Sequence, residues 1–220
     1  YKQRVFDHYP NIQPNIFALS DGIIDAYSKV NIPKEKLFLT PNGLDIDAYR
    51  FVENPKYGHK SICIGKIEDR KKQYFLQGID SLWFAGNIAD NRFDQSKNYL
   101  GELPKSKIKT DLTEYGNLVL ISDGEVHPRV CTEALAAGLG VVISECGIAN
   151  LDLDEEFITV IPDSKINDLE YIQTQIILNR DFSICNRHAI LDYACQFDWS
   201  NVIEKYYLPS INKVRSYYDS

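Results

Sequence analysis

Leu118-Val119-Leu120-Ile121-Ser122-Asp123-Gly124-Glu125-Val126-His127-Pro128-Arg129-Val130-Cys131-Thr132-Glu133-Ala134-Leu135-Ala136-Ala137-Gly138, with Val141-Val142-Ile143 close behind, is the stretch whose reading decides the fold. The opening apolar run does not alternate with polar residues, as expected of a strand buried on both faces. From Arg129 the pattern changes: Val130, Ala134 and Ala137 share one side of a helix, and Gly138 supplies the usual left-handed stop. Val141-Val142-Ile143 is a second continuous run. Strand, helix and strand in that order predict an α/β protein with a parallel sheet.

The same texture extends outward. Ile16-Phe17-Ala18-Leu19, Ile62-Cys63-Ile64, Leu82-Trp83-Phe84-Ala85 and Ile158-Thr159-Val160-Ile161 are further short runs rich in β-branched and aromatic residues, with helical patterns between them. Ile108, Leu112 and Tyr115 keep helical spacing after Pro104 and predict a helix from Lys105 to Tyr115. Asp21 to Lys29 reads as another helix. Beyond Pro162, from Asn167 to Tyr218, the pattern is mostly helical, with breaks expected near Asp181 and at Phe197-Asp198-Trp199-Ser200, where Asp198 or Ser200 can cap the last helix. A linker is expected over Phe51 to Lys60, which is polar and carries Pro55 and Gly58.

Composition narrows the function classes. A chain of 220 residues fits one generous domain with extra segments at its ends, and its 44% hydrophobic and 25% charged residues are those of a packed protein. A net charge of −7 argues against coating a phosphate backbone, so nucleic acid is not an expected partner. The five cysteines (Cys63, Cys131, Cys146, Cys185, Cys195) form no C-x-x-C pair, which predicts reduced thiols, no disulfide frame and no metal site. No apolar stretch is long enough to span a bilayer, and Tyr1-Lys2-Gln3-Arg4 does not resemble a signal peptide, so a soluble cytoplasmic protein is expected. The chain holds no methionine and opens on Tyr1, which leads us to expect that it begins partway through a longer protein.

Two clusters carry chemistry. Gly65-Lys66-Ile67-Glu68-Asp69-Arg70-Lys71-Lys72 follows a strand and places Lys66, Arg70, Lys71 and Lys72 within seven residues, at the corner where parallel sheets bind ligands beyond their carboxyl ends. A polyanion such as a diphosphate suits it; the plainer alternative is a solvated helix start. In the second cluster Glu125 follows a buried strand and Glu133 falls in the first turns of the next helix, eight residues on. Carboxylates there can accept bonds from sugar or ribose hydroxyls, or can simply be an exposed loop charge and a helix-start carboxylate. His127 carries no constellation of its own, and His8, His59 and His188 carry none either.

These segments together resemble the carboxy-terminal, donor-binding half of a GT-B glycosyltransferase of the retaining family 4 type, from about Ile16 to the end. Pro41-Asn42-Gly43-Leu44-Asp45 resembles the interdomain turn of that family, Gly65-Lys66 with Lys71 its phosphate clamp, and Glu125 to Glu133 its paired glutamates with seven residues between them, followed by Ala134-Leu135-Ala136-Ala137-Gly138. Phe197-Asp198-Trp199 resembles the aromatic pair before the family's final helix. Two positions depart from the pattern: Lys66 stands where the family has arginine, and Val126-His127-Pro128 replaces a Gly-Phe-Gly stretch.

The resemblance implies a Rossmann-like parallel sheet flanked by helices with a helical carboxy-terminal segment. It implies three parts: residues 1–50 as the end of the amino-terminal GT-B domain and the interdomain segment, 51–196 as the nucleotide-sugar-binding domain, and 197–220 as the carboxy-terminal helix. The implied activity is transfer of a hexose from a UDP- or GDP-type sugar to an acceptor hydroxyl in glycan biosynthesis, without a metal or other cofactor. By the same resemblance Lys66, Lys71 and Glu125 are catalytic, and Gly65, Lys66, Lys71, Glu125, His127, Arg129, Val130 and Glu133 bind the donor. In that assignment the lysines take the diphosphate, Glu133 the ribose and Glu125 the sugar. Gly86, Asn87, Leu100, Gly101 and Glu102 are the expected surroundings of the base. The acceptor and an amino-terminal GT-B domain are the expected partners, and membrane association of the full-length enzyme stays open. Two alternatives remain on the sequence alone: a non-catalytic nucleotide-sugar-binding or interaction module of GT-B shape, and an epimerase using the same cleft.

Overall fold

The computed structural model describes residues 14–217. The opening Tyr1-Lys2-Gln3-Arg4, His8 and Tyr218 lie outside the described residues. By internal contacts the chain divides into a smaller unit, residues up to 44 together with those from 196 on, and a larger one, Asp45–Cys195.

In the smaller unit β1 (Ile16–Ala18) pairs in parallel with β2 (Leu37–Leu39) across the helix α1 (Asp21–Ser28). Only β1 is visible as a run in the sequence; β2 has three residues and is recognisable only by its pairing, Ile16 opposite Leu37 and Ala18 opposite Leu39.

The larger unit is built on five parallel strands: β3 (Tyr57–Ile64), β4 (Leu82–Ala85), β5 (Tyr115–Leu120), β6 (Gly140–Ser144) and β7 (Ile158–Ile161), in the order β4-β3-β5-β6-β7. Every residue of β5 and β6 is buried, which is why their sequences are continuous apolar runs. The connecting helices are α2 (Gln73–Leu76), α3 (Lys105–Asp111), α4 (Arg129–Ala136), α5 (Leu169–Cys185) and α6 (Arg187–Ala194). Ile67, Leu76, Leu82, Phe84 and Val119 pack with Ile172 and Ile176 of α5 into the core under the sheet. The expected α/β class with a Rossmann-like parallel sheet flanked by helices is what the structure has.

Three local expectations are corrected. The linker predicted to Lys60 ends earlier, because Tyr57 already pairs with Tyr115, their rings 5.6 Å apart, and so opens β3. The helix predicted to Tyr115 stops at Asp111, passes through a 3-10 turn at Leu112–Glu114, and gives Tyr115 to β5. The break predicted near Asp181 is absent. Asn179, two residues earlier, is buried inside α5 and donates to Phe157 O at 2.9 Å while its Oδ1 accepts from Asn117 at 2.9 Å; the helix runs on to Cys185, with Asn186 as its C-cap.

One buried cation ties the base of the sheet together. Arg187 donates from Nε to Val52 O (3.0 Å), from Nη1 to Tyr115 O (3.2 Å), and from Nη2 to Thr113 O and Thr113 Oγ1 (both 2.8 Å) and to Ala137 O (3.1 Å). Burial pulls its pKa down to about 10, so it stays charged at neutral pH.

Back in the smaller unit, α7 (Trp199–Val202) runs through a π turn into α8 (Leu208–Ser216). Asp198 caps α7 by accepting from Ser200 N at 2.8 Å, one of the two caps expected. The two end motifs of the sequence meet here: Leu44 N donates to Phe197 O (2.8 Å) and Trp199 N to Leu44 O (3.0 Å). A Cβ on Gly43 would lie 2.4 Å from the Trp199 ring, so glycine is required by this close approach. All five cysteines are free thiols, and among the described residues no helix is long and apolar enough to cross a membrane.

Candidate functional site

Strand order reverses at β3: the chain goes from β3 to β4 on one side and then to β5 on the other. In open parallel sheets such a reversal leaves a crevice beyond the carboxyl ends of the two diverging strands, because their following loops turn away from each other. Here those loops are the ones after Ile64 and Leu120, and they carry both chemical clusters singled out in the sequence.

The floor of the crevice is backbone. Gly65 and Gly86 both have φ of +148°, and a Cβ on Gly86 would fall 2.0 Å from Gly65 O, so the loops after β3 and β4 can touch only as glycines. Gly65 N donates to Ala85 O at 2.9 Å and Ile67 N to Asn87 O at 2.8 Å, extending the pairing past the strands. Gln73, 1% exposed, holds the next turn by donating to Lys66 O (3.0 Å) and accepting from Glu68 N (3.2 Å). Arg70 and Lys71 thus lie in a 3-10 turn, Asp69–Lys71, and the helix that follows, α2, is a single turn.

The cations of that turn are matched by carboxylates. Lys66 lies 3.7 Å from Glu68; Arg70 reaches Glu68 at 2.8 Å and Glu125 at 2.9 Å; Lys71 lies 3.6 Å from Glu125; Lys72 lies 3.0 Å from Asp123. Arg70 also donates to Ser122 Oγ at 3.2 Å and to Gly124 O, and accepts at its own carbonyl from Asp123 N at 2.8 Å. Burial pulls the Arg70 pKa down, but Glu125 and then Glu68 outweigh it and hold the group above its ordinary value. The solvated-helix alternative therefore fits Lys66, 58% exposed at its side chain, better than Lys71, which is 13% exposed.

On the opposite wall Pro128 is the N-cap of α4, so its missing N–H falls at the cap, and the N–H groups of Arg129 and Val130 open the helix. Glu133 is 14% exposed, with Arg129 at 3.9 Å. The Tyr49 hydroxyl meets it; burial, with the Glu133 carboxylate second, pushes that phenol well above its ordinary range. His127 is half-buried, and burial, then Arg129, pulls its pKa down.

Two adjoining clefts result. One, of about 310 Å³, is lined by Gly65, Lys71, Glu125, His127, Arg129, Val130 and Glu133 with Ile64, Leu120 and Pro128. The other, of about 300 Å³, shares Ile64 and Gly65 and adds Lys66, Gly86, Asn87 and Glu102. The structure thus brings seven of the eight expected donor residues into one cleft and puts Lys66 in its neighbour. Among the expected base surroundings, Gly101 accepts from Gly86 N at 3.0 Å, and Leu100 lines a cleft of about 420 Å³ beside Trp83 that shares Ile64, Leu103 and Ile108 with the second one. Tyr49, Gln73 and the cross-loop role of Arg70 escaped the sequence reading, because each depends on a partner brought in by folding.

The fold recurs in solved structures. Anabaena Alr3699/HepE in complex with UDP-glucose superposes with a TM-score of 0.72 at 14% identity over 98% of this chain and 68% of that one. The lipopolysaccharide outer core galactosyltransferase WaaB gives 0.66 at 14% identity over 91% of this chain and 61% of that one. A glycosyltransferase from Rickettsia africae ESF-5 gives 0.66 at 13% identity over 91% and 64%. The chain shares its fold with these proteins. It spans only 61 to 68% of the length of HepE and WaaB, and identities this low speak for fold alone. No protein-family model matches the chain, and no curated protein matches its sequence.

Proposed function

We propose that this chain is the donor-binding half of a nucleotide-sugar glycosyltransferase of GT-B fold and family 4 type, transferring a hexose with retention to an acceptor hydroxyl. The observation that carries the reading is the convergence of Gly65, Lys71, Glu125, Arg129, Val130 and Glu133 on one cleft at the reversal point of the sheet. The glycosyltransferases among the fold neighbours, and UDP-glucose in HepE, support the same reading.

In this reading the leaving group is a nucleoside diphosphate. Fixed cations aimed at the charge that develops on it lower the barrier without reorganising at the moment of reaction, and Lys71 with Lys66 takes that task rather than a metal ion. The N–H groups of Arg129 and Val130 add the positive end of α4. Glu133, held by Tyr49, faces the ribose, and Glu125 faces the sugar hydroxyls. The base lies over Gly86, Asn87 and Glu102. Lys66 and Lys71 present point charges and not the bidentate fork of an arginine, so they fix charge more than orientation. The acceptor belongs to a further domain facing this cleft.

The test is a calorimetric titration of the chain with UDP-, GDP- and ADP-sugars and their free nucleotides. Saturable one-to-one binding of one base series is expected. A folded chain that binds none of them would refute the reading.

A further inference from the structure

Among the matched charges of the cluster, Glu125 is the one carboxylate that crosses from the loop after β5 to the two cations Arg70 and Lys71 on the loop after β3. A single oxygen, Oε1, lies 2.9 Å from Arg70 Nη1 and 3.6 Å from Lys71 Nζ, and the Glu125 and Lys71 side chains are both only 13% exposed. The Lys71 ammonium in turn sits 3.0 Å from where a Cβ on Gly65 would stand, at the end of β3 and the mouth of the crevice. The cation assigned to the diphosphate is therefore already engaged by an anion of this chain. A carboxylate oxygen that accepts from Arg70 and pairs with Lys71 in a half-dry corner carries the kind of charge a phosphate oxygen would bring there.

We propose that Glu125 is an intramolecular stand-in for the donor's diphosphate, occupying Arg70 and Lys71 until the ligand displaces it. The inference rests on the reading of Lys71 as a diphosphate contact and adds a competitor to it. The carboxylate leaves by a turn at the exposed Gly124 that gives up the Arg70 bond to Gly124 O, a carbonyl that keeps Ser122 Oγ at 3.2 Å as its partner. The anchor survives the turn, because Asp123 N stays bonded to Arg70 O and Lys72 to Asp123. Displacement releases a carboxylate beside the newly bound diphosphate, where the attached sugar begins. Diphosphate capture and sugar recognition are thereby ordered, the first making the second available.

Inorganic pyrophosphate is the probe, because it carries the diphosphate without base or sugar. Its affinity is measured by calorimetry for the wild-type chain, Glu125→Gln, Glu125→Ala and Asp123→Asn. Removing the competitor should tighten pyrophosphate binding about tenfold in both Glu125 variants, the scale of one charge-assisted hydrogen bond that no longer has to break. Asp123→Asn removes the same charge from the same loop without touching Lys71 and should change affinity less than about twofold, as for exposed pairs. Wild-type binding that is unchanged or weakened in the Glu125 variants overturns the stand-in and leaves the clamp standing. An equal gain in Asp123→Asn also overturns it, since a general field effect would then suffice. Absence of pyrophosphate binding in every protein overturns the diphosphate clamp itself.

Discussion

Lys66 and Lys71 have the same charge and follow the same strand, yet their surroundings separate them. Lys71 is held in the crevice beside Glu125, while Lys66 extends into solvent toward Glu68. Lys71→Ala should therefore weaken nucleoside diphosphate binding by about 1.5–3 kcal/mol, the range for hydrogen bonds to charged groups, and Lys66→Ala by less. Titration of both variants checks this; an equal or larger loss at Lys66 would contradict it. Glu133→Ala should weaken free nucleotide and nucleotide sugar alike, because its assigned partner, the ribose, is common to both. A loss confined to the nucleotide sugar would move Glu133 to the sugar. The spacing of the two glutamates is legible in the sequence because helix periodicity fixes where Glu133 falls relative to the strand end. Tyr49 is not legible, since it meets Glu133 from 84 positions away in the chain.

At the scale of elements, what made β5 and β6 readable is that both faces are buried, leaving no room for polar residues in the run. The ends of the elements were not readable for the opposite reason. Tyr57 and Tyr115 belong to strands only because they pair with each other, and Asn179 looks like a loop residue until its amide is seen spanning α5 and the sheet. Arg187 shows the same dependence on tertiary partners. It serves carbonyls from Val52, Thr113, Tyr115 and Ala137, so truncating it strands several buried acceptors at once. Arg187→Met should cost about 3–5 kcal/mol in urea unfolding, with the midpoint falling and the slope unchanged. A loss under about 0.5 kcal/mol, the level of an ordinary surface substitution, would show that water replaces the guanidinium.

For the whole molecule, the strand order β4-β3-β5-β6-β7 decides where a ligand can bind, since the loops after the paired strands β3 and β5 turn apart and leave a crevice beyond their carboxyl ends. The parallel class was legible from the runs, whereas the order, and with it the crevice, appears only when the strands pair. The cleft beside Trp83, of about 420 Å³, exceeds the 310 Å³ of the cleft holding Lys71 and Glu133 and so competes with it for the role of ligand site. Charge does not separate them, since the Trp83 cleft carries Lys56, Lys107, Asp111 and Glu114 against Lys71, Arg129, Glu125 and Glu133; position does, because the cleft holding Lys71 lies beyond the carboxyl ends of β3 and β5, where the strand order reverses. Hydrogen–deuterium exchange of the chain with and without a saturating nucleoside diphosphate distinguishes the two directly. The account predicts slowed exchange in residues 64–73, 85–87 and 122–133, and no change in residues 56–58 and 111–116. Protection confined to the latter two segments, with the loops after β3 and β5 unaffected, would contradict it.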